Sequence, residues 1–306
     1  MGLVSYFAVH PGAVSRYADF KYVFEKFGFS RGAMAVRYPR DWVGELLSLC
    51  GDSIDRKKIE VWLSKYGDES IFFDAPPHFR GEWSAVIREL HAHLSRQGPG
   101  LGGVLVEDFS QFQFSPPRVE IASDCARDFF PTENMASIKR EARVIAESAR
   151  DLLRISARVV LIDRHFNPFG GAFLESLRHV LLVAISEKTS FVEILVSDSR
   201  LPKNIEDLDS KISRLFPERP GLPKLTILFV RDDFFFHDRY LIGEKGGLLF
   251  AAGAGAVHDD DDVQTVALLS PQVHADLKAR FYSDAIRKKK IVAKREWPAP
   301  RRCFRF

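Results

Sequence analysis

The sequence predicts an α/β protein in which a smaller α/β domain precedes a domain built on a mixed, mainly parallel sheet sandwiched by helices. Between residues 158 and 286, short apolar runs alternate with stretches of helical periodicity, as in sheets covered on both faces. The chain has 306 residues, enough for two ordinary domains of about 150 residues each. Hydrophobic residues make up 46% and charged residues 28% of it, as in globular proteins.

The first half has mixed α/β spacing. Apolar residues recur at helical intervals over 18–27, 42–50 and 84–94, and short strands are predicted at 70–73 and 103–106. Prolines at 116, 117 and 131 favour a boundary between about 115 and 136. We therefore predict domains over 1–130 and 137–290 and a basic carboxyl-terminal tail over 291–306. No family or activity is predicted for the first domain.

The second half begins with an amphipathic helix, continues with alternating strands and helices, and ends with a strand pair, a strand and a closing helix. Its elements are predicted at 137–155, 158–163, 173–185, 191–197, 205–216, 225–230, 240–242, 248–251, 263–269 and 271–286. The strand pair flanks Gly246-Gly247, a hairpin-turn signal, and the closing helix has Pro271 in its first turn.

One segment after the third strand of this series carries a recognisable motif. Residues 236–244 read Phe-His-Asp-Arg-Tyr-Leu-Ile-Gly-Glu, in a strand-turn-strand context. Together with the preceding order of strands and helices, they resemble one half-unit of the phospholipase D superfamily, whose motif is His-x-Lys, four residues, then Asp. The matching positions here are His237, Arg239 and Glu244. The resemblance covers the carboxyl-terminal half and does not extend to the first half.

The three motif residues have the chemistry that phosphodiester cleavage needs. An imidazole such as His237 can attack phosphorus and form a covalent intermediate that water resolves. A cation such as Arg239 stabilises the developing charge, and a carboxylate such as Glu244 fixes the tautomer of the imidazole. This scheme requires no metal and no cofactor.

Three departures from the family motif bear on catalysis. Arginine stands for lysine at Arg239, and Glu244 is one methylene longer than the aspartate it replaces. The segment 253–256 reads Gly-Ala-Gly-Ala where the family has Gly-Ser-x-Asn, so the hydroxyl and amide that would hold phosphate oxygens are missing. Only Gly253 and Gly255 remain there as phosphate-binding candidates. Catalysis and phosphate binding without catalysis both stay open.

The family works with two copies of the motif, one imidazole attacking and the other protonating the leaving group. This sequence contains one copy of the full motif, since none of the other histidines is followed both by Lys or Arg two residues later and by Asp or Glu five residues after that. A single copy resembles those family members that build one site across a twofold axis, and twofold dimers are the commonest symmetric assembly. We therefore predict a homodimer that contacts through the face carrying His237.

The loop after the first strand of the second domain is a further candidate. Arg164, His165 and Asn167 follow that strand, and loops at the carboxyl ends of parallel strands line ligand crevices. A polar loop with a turn at Asn-Pro explains the same residues without a ligand. Residues 231–233 follow the third strand, and we expect them to shape the entrance.

Basic residues cluster near the carboxyl end. Arg287, Lys288, Lys289 and Lys290 are predicted to neutralise phosphates of a nucleic acid, and an anionic membrane surface or a solvated helix end are the alternatives. Trp297 and Phe304 flank the later basic residues and either dock on the domain or stack on bases.

Several other functional classes are disfavoured. Cys50, Cys125 and Cys303 are too far apart for a zinc site or a disulfide framework. His91 and His93 lie two apart on a helix and face different directions, and the acidic run 258–262 is expected to be a solvated loop, so no metal is predicted. The sequence shows no signal peptide and no membrane span, and we expect a cytoplasmic protein.

The sequence therefore predicts a metal-independent phosphodiesterase, namely a nuclease that acts on DNA or RNA in a homodimeric site. One alternative is a catalytically inactive module that binds nucleic acid or another phosphate ligand. Another is an interaction subunit whose first domain docks a protein partner. Single-motif units fused to unfamiliar domains resemble components of bacterial antiphage or restriction systems, an analogy at the level of the fold alone.

Overall fold

The computed structural model describes residues 3–66, 71–96, 100–109, 118–131, 133–187, 189–202, 205–215, 223–234, 238–257, 262–282 and 289–297. The chain divides into two compact units, Met1–Asn134 and Met135–Phe306. It is an α/β protein with a parallel sheet in the first unit and a mixed sheet in the second.

The first unit contains a five-stranded sheet in the order β3-β2-β1-β4-β5. Its strands are β1 (Ser5–Val9), β2 (Ala33–Arg37), β3 (Phe72–Asp74), β4 (Leu101–Val106) and β5 (Val119–Ile121). All neighbouring strands pair in parallel, so every carboxyl end lies at one edge of the sheet. β1 and β4 are buried along nearly their whole length, as central strands of a covered parallel sheet are.

Four helices pack against this sheet: α1 (Tyr17–Phe24), α2 (Trp42–Leu49), α3 (Ile54–Tyr66) and α4 (Trp83–Ser95). Helices α1 to α3 share an aromatic-rich core with alternate residues of the strands, such as Phe7 and Phe72. The Phe20 and Phe24 rings stack in this core at 4.5 Å, which agrees with the abundance of phenylalanine in the sequence. α4 buries its Val86, Ile87, Leu90 and Leu94 face.

The second unit contains an eight-stranded mixed sheet in the order β13-β9-β8-β7-β10-β11-β12-β6. Its strands are β6 (Met135–Lys139), β7 (Arg158–Ile162), β8 (Phe191–Ser197), β9 (Lys224–Val230), β10 (Arg239–Gly243), β11 (Gly247–Phe250), β12 (Val263–Leu268) and β13 (Ile291–Trp297). Strands β7, β8 and β9 are parallel, and the other described pairings are antiparallel.

Helices cover both faces of this second sheet. They are α5 (Ala142–Ser148), α6 (Arg150–Ile155), α7 (Gly171–Ser186), α8 (Ile205–Ser213) and α9 (Pro271–Leu277), and α9 continues as a π-helical turn over Lys278–Tyr282. Residues of α5 and α7 lie with Leu161 and Leu241 on one face. Leu277 and Phe281 lie with the oppositely oriented residues of the same strands on the other face.

The structure corrects several sequence predictions. The single helix expected over 137–155 is strand β6 followed by α5 and α6, and residues 291–297 of the expected basic tail form β13. Both strands lie at sheet edges, and their sequences, Met-Ala-Ser-Ile-Lys and Ile-Val-Ala-Lys-Arg-Glu-Trp, have neither a long apolar run nor a strict alternation of polar and apolar residues. The sheet is mixed as predicted, but its parallel part is confined to β7, β8 and β9.

In the described part of the chain, no helix is both long enough and apolar enough to cross a membrane.

Candidate phosphate-binding site

The candidate site lies at the carboxyl edge of the parallel strands of the second sheet. β7, β8 and β9 end at this edge, and the loops at 163–167, 198–200 and 231–234 follow them. Two antiparallel strands bring further residues to the same edge. Tyr240 pairs with Ile162, which places Arg239 beside the end of β7, and Ile291 pairs with Val230, which places Lys290 beside the end of β9.

Asp163 is the buried centre of this edge. It directly follows β7 and only 1% of its surface is exposed. Its Oδ1 accepts a hydrogen bond of 2.9 Å from the His165 backbone N–H, and its Oδ2 accepts one of 3.4 Å from the Ala254 N–H. Because a buried carboxylate is costly unless it is hydrogen-bonded, Asp163 fixes the loop after β7 against the loop after β11.

Arg239 lies above this carboxylate with unused hydrogen-bonding capacity. Its Nη1 donates to the Ala251 carbonyl at 3.1 Å, while its Nε is buried without a hydrogen-bond partner. Among the residues that the structure describes, no carboxylate forms an ion pair with the Arg239 guanidinium. A buried donor left unpaired is unfavourable, so this guanidinium is suited to receive an anion.

Gly253 allows the backbone to pass close to both groups. Its φ is +90°, a conformation that other residues rarely adopt, and a Cβ there would lie 2.9 Å from Asp163 Oδ2 and 3.6 Å from Arg239 Nε. Gly253 therefore lies beside Arg239 and Asp163.

His165 is an exposed imidazole beside the same arginine. Desolvation and the positive charge of Arg239 lower the pKa of His165 below its usual 6.5, while Asp163 raises it. The positive charges of Arg164 and Arg200 also lower the pKa of His165. The ring is therefore neutral at neutral pH, and a bound anion would raise its pKa.

The charges at this edge are partly compensated. Arg164 pairs with Asp232 at 2.5 Å, and Lys290 and Arg231 approach Asp233 at 3.0 and 3.7 Å. Arg200 and Arg239 form no ion pair within the described residues. The described ion pairs thus leave Arg200 and Arg239 as uncompensated arginines at this edge.

Glu244 lies at the other end of β10 from Arg239. Arg239 and Glu244 flank β10 at opposite ends, about 16 Å apart at about 3.3 Å per residue. Glu244 Oε1 accepts from the Arg158 N–H at 3.0 Å, and the Glu244 carbonyl accepts from Lys278 Nζ at 2.8 Å. Glu244 thus contacts the start of β7 through its carboxylate and the π-helical turn through its carbonyl, and the carboxylate described beside Arg239 is Asp163.

The other predicted site residues are distributed as follows. Asn167 Oδ1 accepts from the Phe169 N–H at 3.0 Å and forms the turn before α7. Gly255 faces the Phe173 ring, and its carbonyl accepts from Arg140 at 3.2 Å, so it lies below the site. Lys289 is exposed next to Lys290. His237, Arg287 and Lys288 lie outside the described residues, as do residues 258–261 of the acidic run.

Two residues of this edge were not among the predicted site residues. Asp163 and Arg200 each follow a buried strand at its carboxyl end, within three residues of the last strand residue. That position is the signal that could have identified them, since these ends meet at one edge of a parallel sheet.

Comparisons with known proteins add little to this geometry. No protein-family model and no curated protein matches the sequence. The structure is similar to TrmBL2, an archaeal chromatin protein described with a novel mode of DNA binding, at a TM-score of 0.29 and 12% identity over 84% of this chain and 72% of that chain. It is also partly similar to polyphosphate kinase from Porphyromonas gingivalis, at a TM-score of 0.32 and 10% identity over 48% of this chain and 25% of that chain. Likenesses of this size establish neither a common fold nor a common function.

Proposed function

We propose that the second unit binds a phosphodiester group of a nucleic acid at Arg239. The observation that carries this proposal is the Arg239 guanidinium, whose buried Nε has no hydrogen-bond partner and which forms no ion pair with a carboxylate among the described residues. A phosphate oxygen is the acceptor that such a guanidinium prefers, because the charge-assisted hydrogen bonds match its planar geometry.

The surroundings of Arg239 suit one phosphate group. Arg200 supplies a second cation at the same edge, and the His165 ring becomes a charged donor when a nearby anion raises its pKa. The Asp163 carboxylate is engaged by two backbone N–H groups, so its position beneath the site is fixed. Lys289 and Lys290, at the same edge, extend the contact along a phosphodiester backbone.

A second candidate function is hydrolysis of the bound phosphodiester without a metal. Two features support it. One is the motif at His237, and the other is the imidazole of His165, which lies near Arg239 in the same chain. Such a nuclease would use His237 as nucleophile, in a homodimer or with His165 as the proton donor. The position of Glu244 and the Gly-Ala-Gly-Ala segment favour binding over catalysis.

Binding is tested with the full chain and short labelled single- and double-stranded DNA and RNA in EDTA, over a series of salt concentrations. Arg239→Ala should weaken binding by about tenfold or more, because a hydrogen bond to a charged group contributes about 1.5–3 kcal/mol. The matched control is Arg178→Ala, which removes an exposed arginine from α7 away from the edge. Equal affinities of the two variants would refute the phosphate site.

Hydrolysis is tested in the same reactions by following cleavage beside His237→Ala and His165→Ala, with the mass in solution measured. Cleavage that survives EDTA and disappears in His237→Ala would establish the nuclease. Loss in both variants would assign His165 to the reaction. Binding without cleavage would leave the phosphate-binding module, and a dimeric mass would support a site shared between protomers.

A further inference from the structure

The strand order of the first unit reverses at the centre of its parallel sheet, the position at which open parallel sheets form a ligand crevice. In the order β3-β2-β1-β4-β5, β1 leads to β2 on one side and β4 leads to β5 on the other. The connections that leave β1 and β4 at the carboxyl edge therefore diverge. Ligands of open parallel sheets bind where the strand order reverses in this way.

Two side chains of complementary chemistry meet at this point. His10 directly follows β1, and Glu107 directly follows β4. The His10 Nδ1 accepts a hydrogen bond of 3.2 Å from the Gly12 N–H. A Cβ on Gly12 would lie 2.5 Å from Glu107 Oε2 and 3.2 Å from His10 Nδ1, so Gly12 leaves room for the carboxylate beside the imidazole.

The contacts of His10 define its protonation and orientation. Because Nδ1 accepts a backbone N–H, a neutral ring carries its proton on Nε2 and is a donor there. Burial lowers the pKa of His10, although Glu107 and Glu82 raise it. The buried Trp83 ring packs edge-on against the imidazole at 5.1 Å, and Trp83 Nε1 donates to the Tyr38 carbonyl at 3.0 Å.

The mouth of this crevice is acidic and aromatic. Glu107 is exposed, and Phe109, two residues further on, has 51% of its surface exposed. Glu82 is occupied as the cap of α4, where it accepts from the Ser84 and Ala85 N–H groups. Among the described residues at this edge, the Glu107 carboxylate and the His10 Nε2–H thus have hydrogen-bonding capacity for a ligand, and the exposed Phe109 follows Glu107 by two residues.

We propose that this crevice binds a ribonucleoside without a phosphate. A carboxylate accepts hydrogen bonds from the vicinal hydroxyls of a ribose, the His10 Nε2–H donates to an oxygen of the same sugar, and a base stacks on Phe109. Glu107 and Glu82 disfavour an anionic phosphate. The segment after β1 reads His10-Pro11-Gly12 and lacks the glycine-rich fingerprint that cradles a dinucleotide pyrophosphate.

The test uses the full chain and observes the His10 ring by NMR during titration with adenosine, guanosine, cytidine and uridine. At least one ribonucleoside should shift the His10 resonances, and its 2′-deoxy analogue and its 5′-monophosphate should each bind at least several-fold more weakly. Glu107→Gln should weaken binding about tenfold, whereas Glu89→Gln, an exposed carboxylate on α4, should not.

The proposal fails if no ribonucleoside shifts the His10 resonances at millimolar concentration, or if Glu107→Gln binds like Glu89→Gln. It also fails if the monophosphate binds best, since the crevice would then be a phosphate site. The inference does not rest on the function proposed for the second unit: Arg239→Ala should leave ribonucleoside binding unchanged, and His10→Asn should leave nucleic-acid binding unchanged.

Discussion

The two sheets place their candidate sites at the same kind of edge, the carboxyl ends of parallel strands, and use a carboxylate there in opposite ways. In the second unit Asp163 is buried and accepts backbone N–H groups, and arginines lie outside it. In the first unit Glu107 is exposed at the mouth of the crevice. The strand geometry thus supplies the location of a site, while the burial of the carboxylate decides whether the outer surface favours an anion or a hydroxyl-bearing neutral ligand.

The largest difference in stability is expected between variants that remove Asp163 and variants that remove Glu107. Asp163→Ala leaves the His165 and Ala254 N–H groups without their acceptor, and we expect a loss of about 3 kcal/mol in the free energy of unfolding. Glu107→Ala should change it by less than about 0.5 kcal/mol, as for other exposed positions. Urea unfolding measures both, and hydrogen exchange shows which sheet is affected. Equal losses would mean that the two carboxylates do not differ in role.

Two glycines provide the next comparison. Gly253→Ala places a Cβ at positive φ and 2.9 Å from the fixed Asp163 carboxylate, so we expect a loss of about 1–3 kcal/mol and weaker nucleic-acid binding. In Gly12→Ala, the Cβ meets the free end of the Glu107 side chain, which can move away. Its stability should change by less than about 1 kcal/mol. A Gly12→Ala variant that loses as much stability as Gly253→Ala would contradict this reading of Glu107.

Within the second unit, substitutions at the two ends of β10 should change nucleic-acid binding to different extents. Glu244→Gln keeps an oxygen to accept the Arg158 N–H and lies far from Arg239, so nucleic-acid binding should change by less than about twofold. Arg239→Ala, at the other end of the strand, should weaken binding about tenfold or more. Parallel binding titrations measure both variants. A large loss of affinity in a stably folded Glu244→Gln protein would restore the role that the motif assigned to Glu244.

The smallest effect is expected from pH. Burial lowers the pKa of His10 in the first unit and of His274 in the second below 6.5. Since the unfolded chain then binds protons more readily than the folded chain, the stability that these residues contribute is complete above about pH 6.5 and declines as the pH falls toward their folded-state pKa values. Urea midpoints should fall on acidification below about pH 6.5, less steeply in His10→Asn. A rise of the urea midpoint on acidification would be inconsistent with half-buried rings that stay neutral in the folded protein.

The sequence alone predicted the elements that have a strong hydrophobic pattern. The runs that became β7, β8 and β9 contain consecutive β-branched and aliphatic residues, so their position and order were predictable. β2 was missed because its alanine-rich sequence fits a helix as well as a strand. β6 and β13 were missed because their sequences show neither a long apolar run nor a strict alternation, and because the partner of β6 is distant in the chain.

The candidate site was predictable in location but not in detail. Loops after the parallel strands were expected at one edge, which is where Arg164, His165 and Gly253 lie. The role assigned to Glu244 toward His237 stays a prediction, since His237 lies outside the described residues; four residues of extended chain separate Glu244 from Arg239, a distance that the motif pattern does not express. Asp163 gave no motif signal, since its importance comes from hydrogen bonds to residues far along the chain, such as Ala254.

The arrangement of β6 and β13 has a consequence for synthesis on the ribosome. β6 and β13 are the first and last strands of the second unit, and they form its two opposite edges. β13 covers the edge of β9, pairing from Ile291 to Trp297. During translation, β9 is therefore available before the strand that covers it has been made. A nascent chain arrested before residue 291 would expose an unpaired strand edge, the feature by which incomplete sheets associate with other chains.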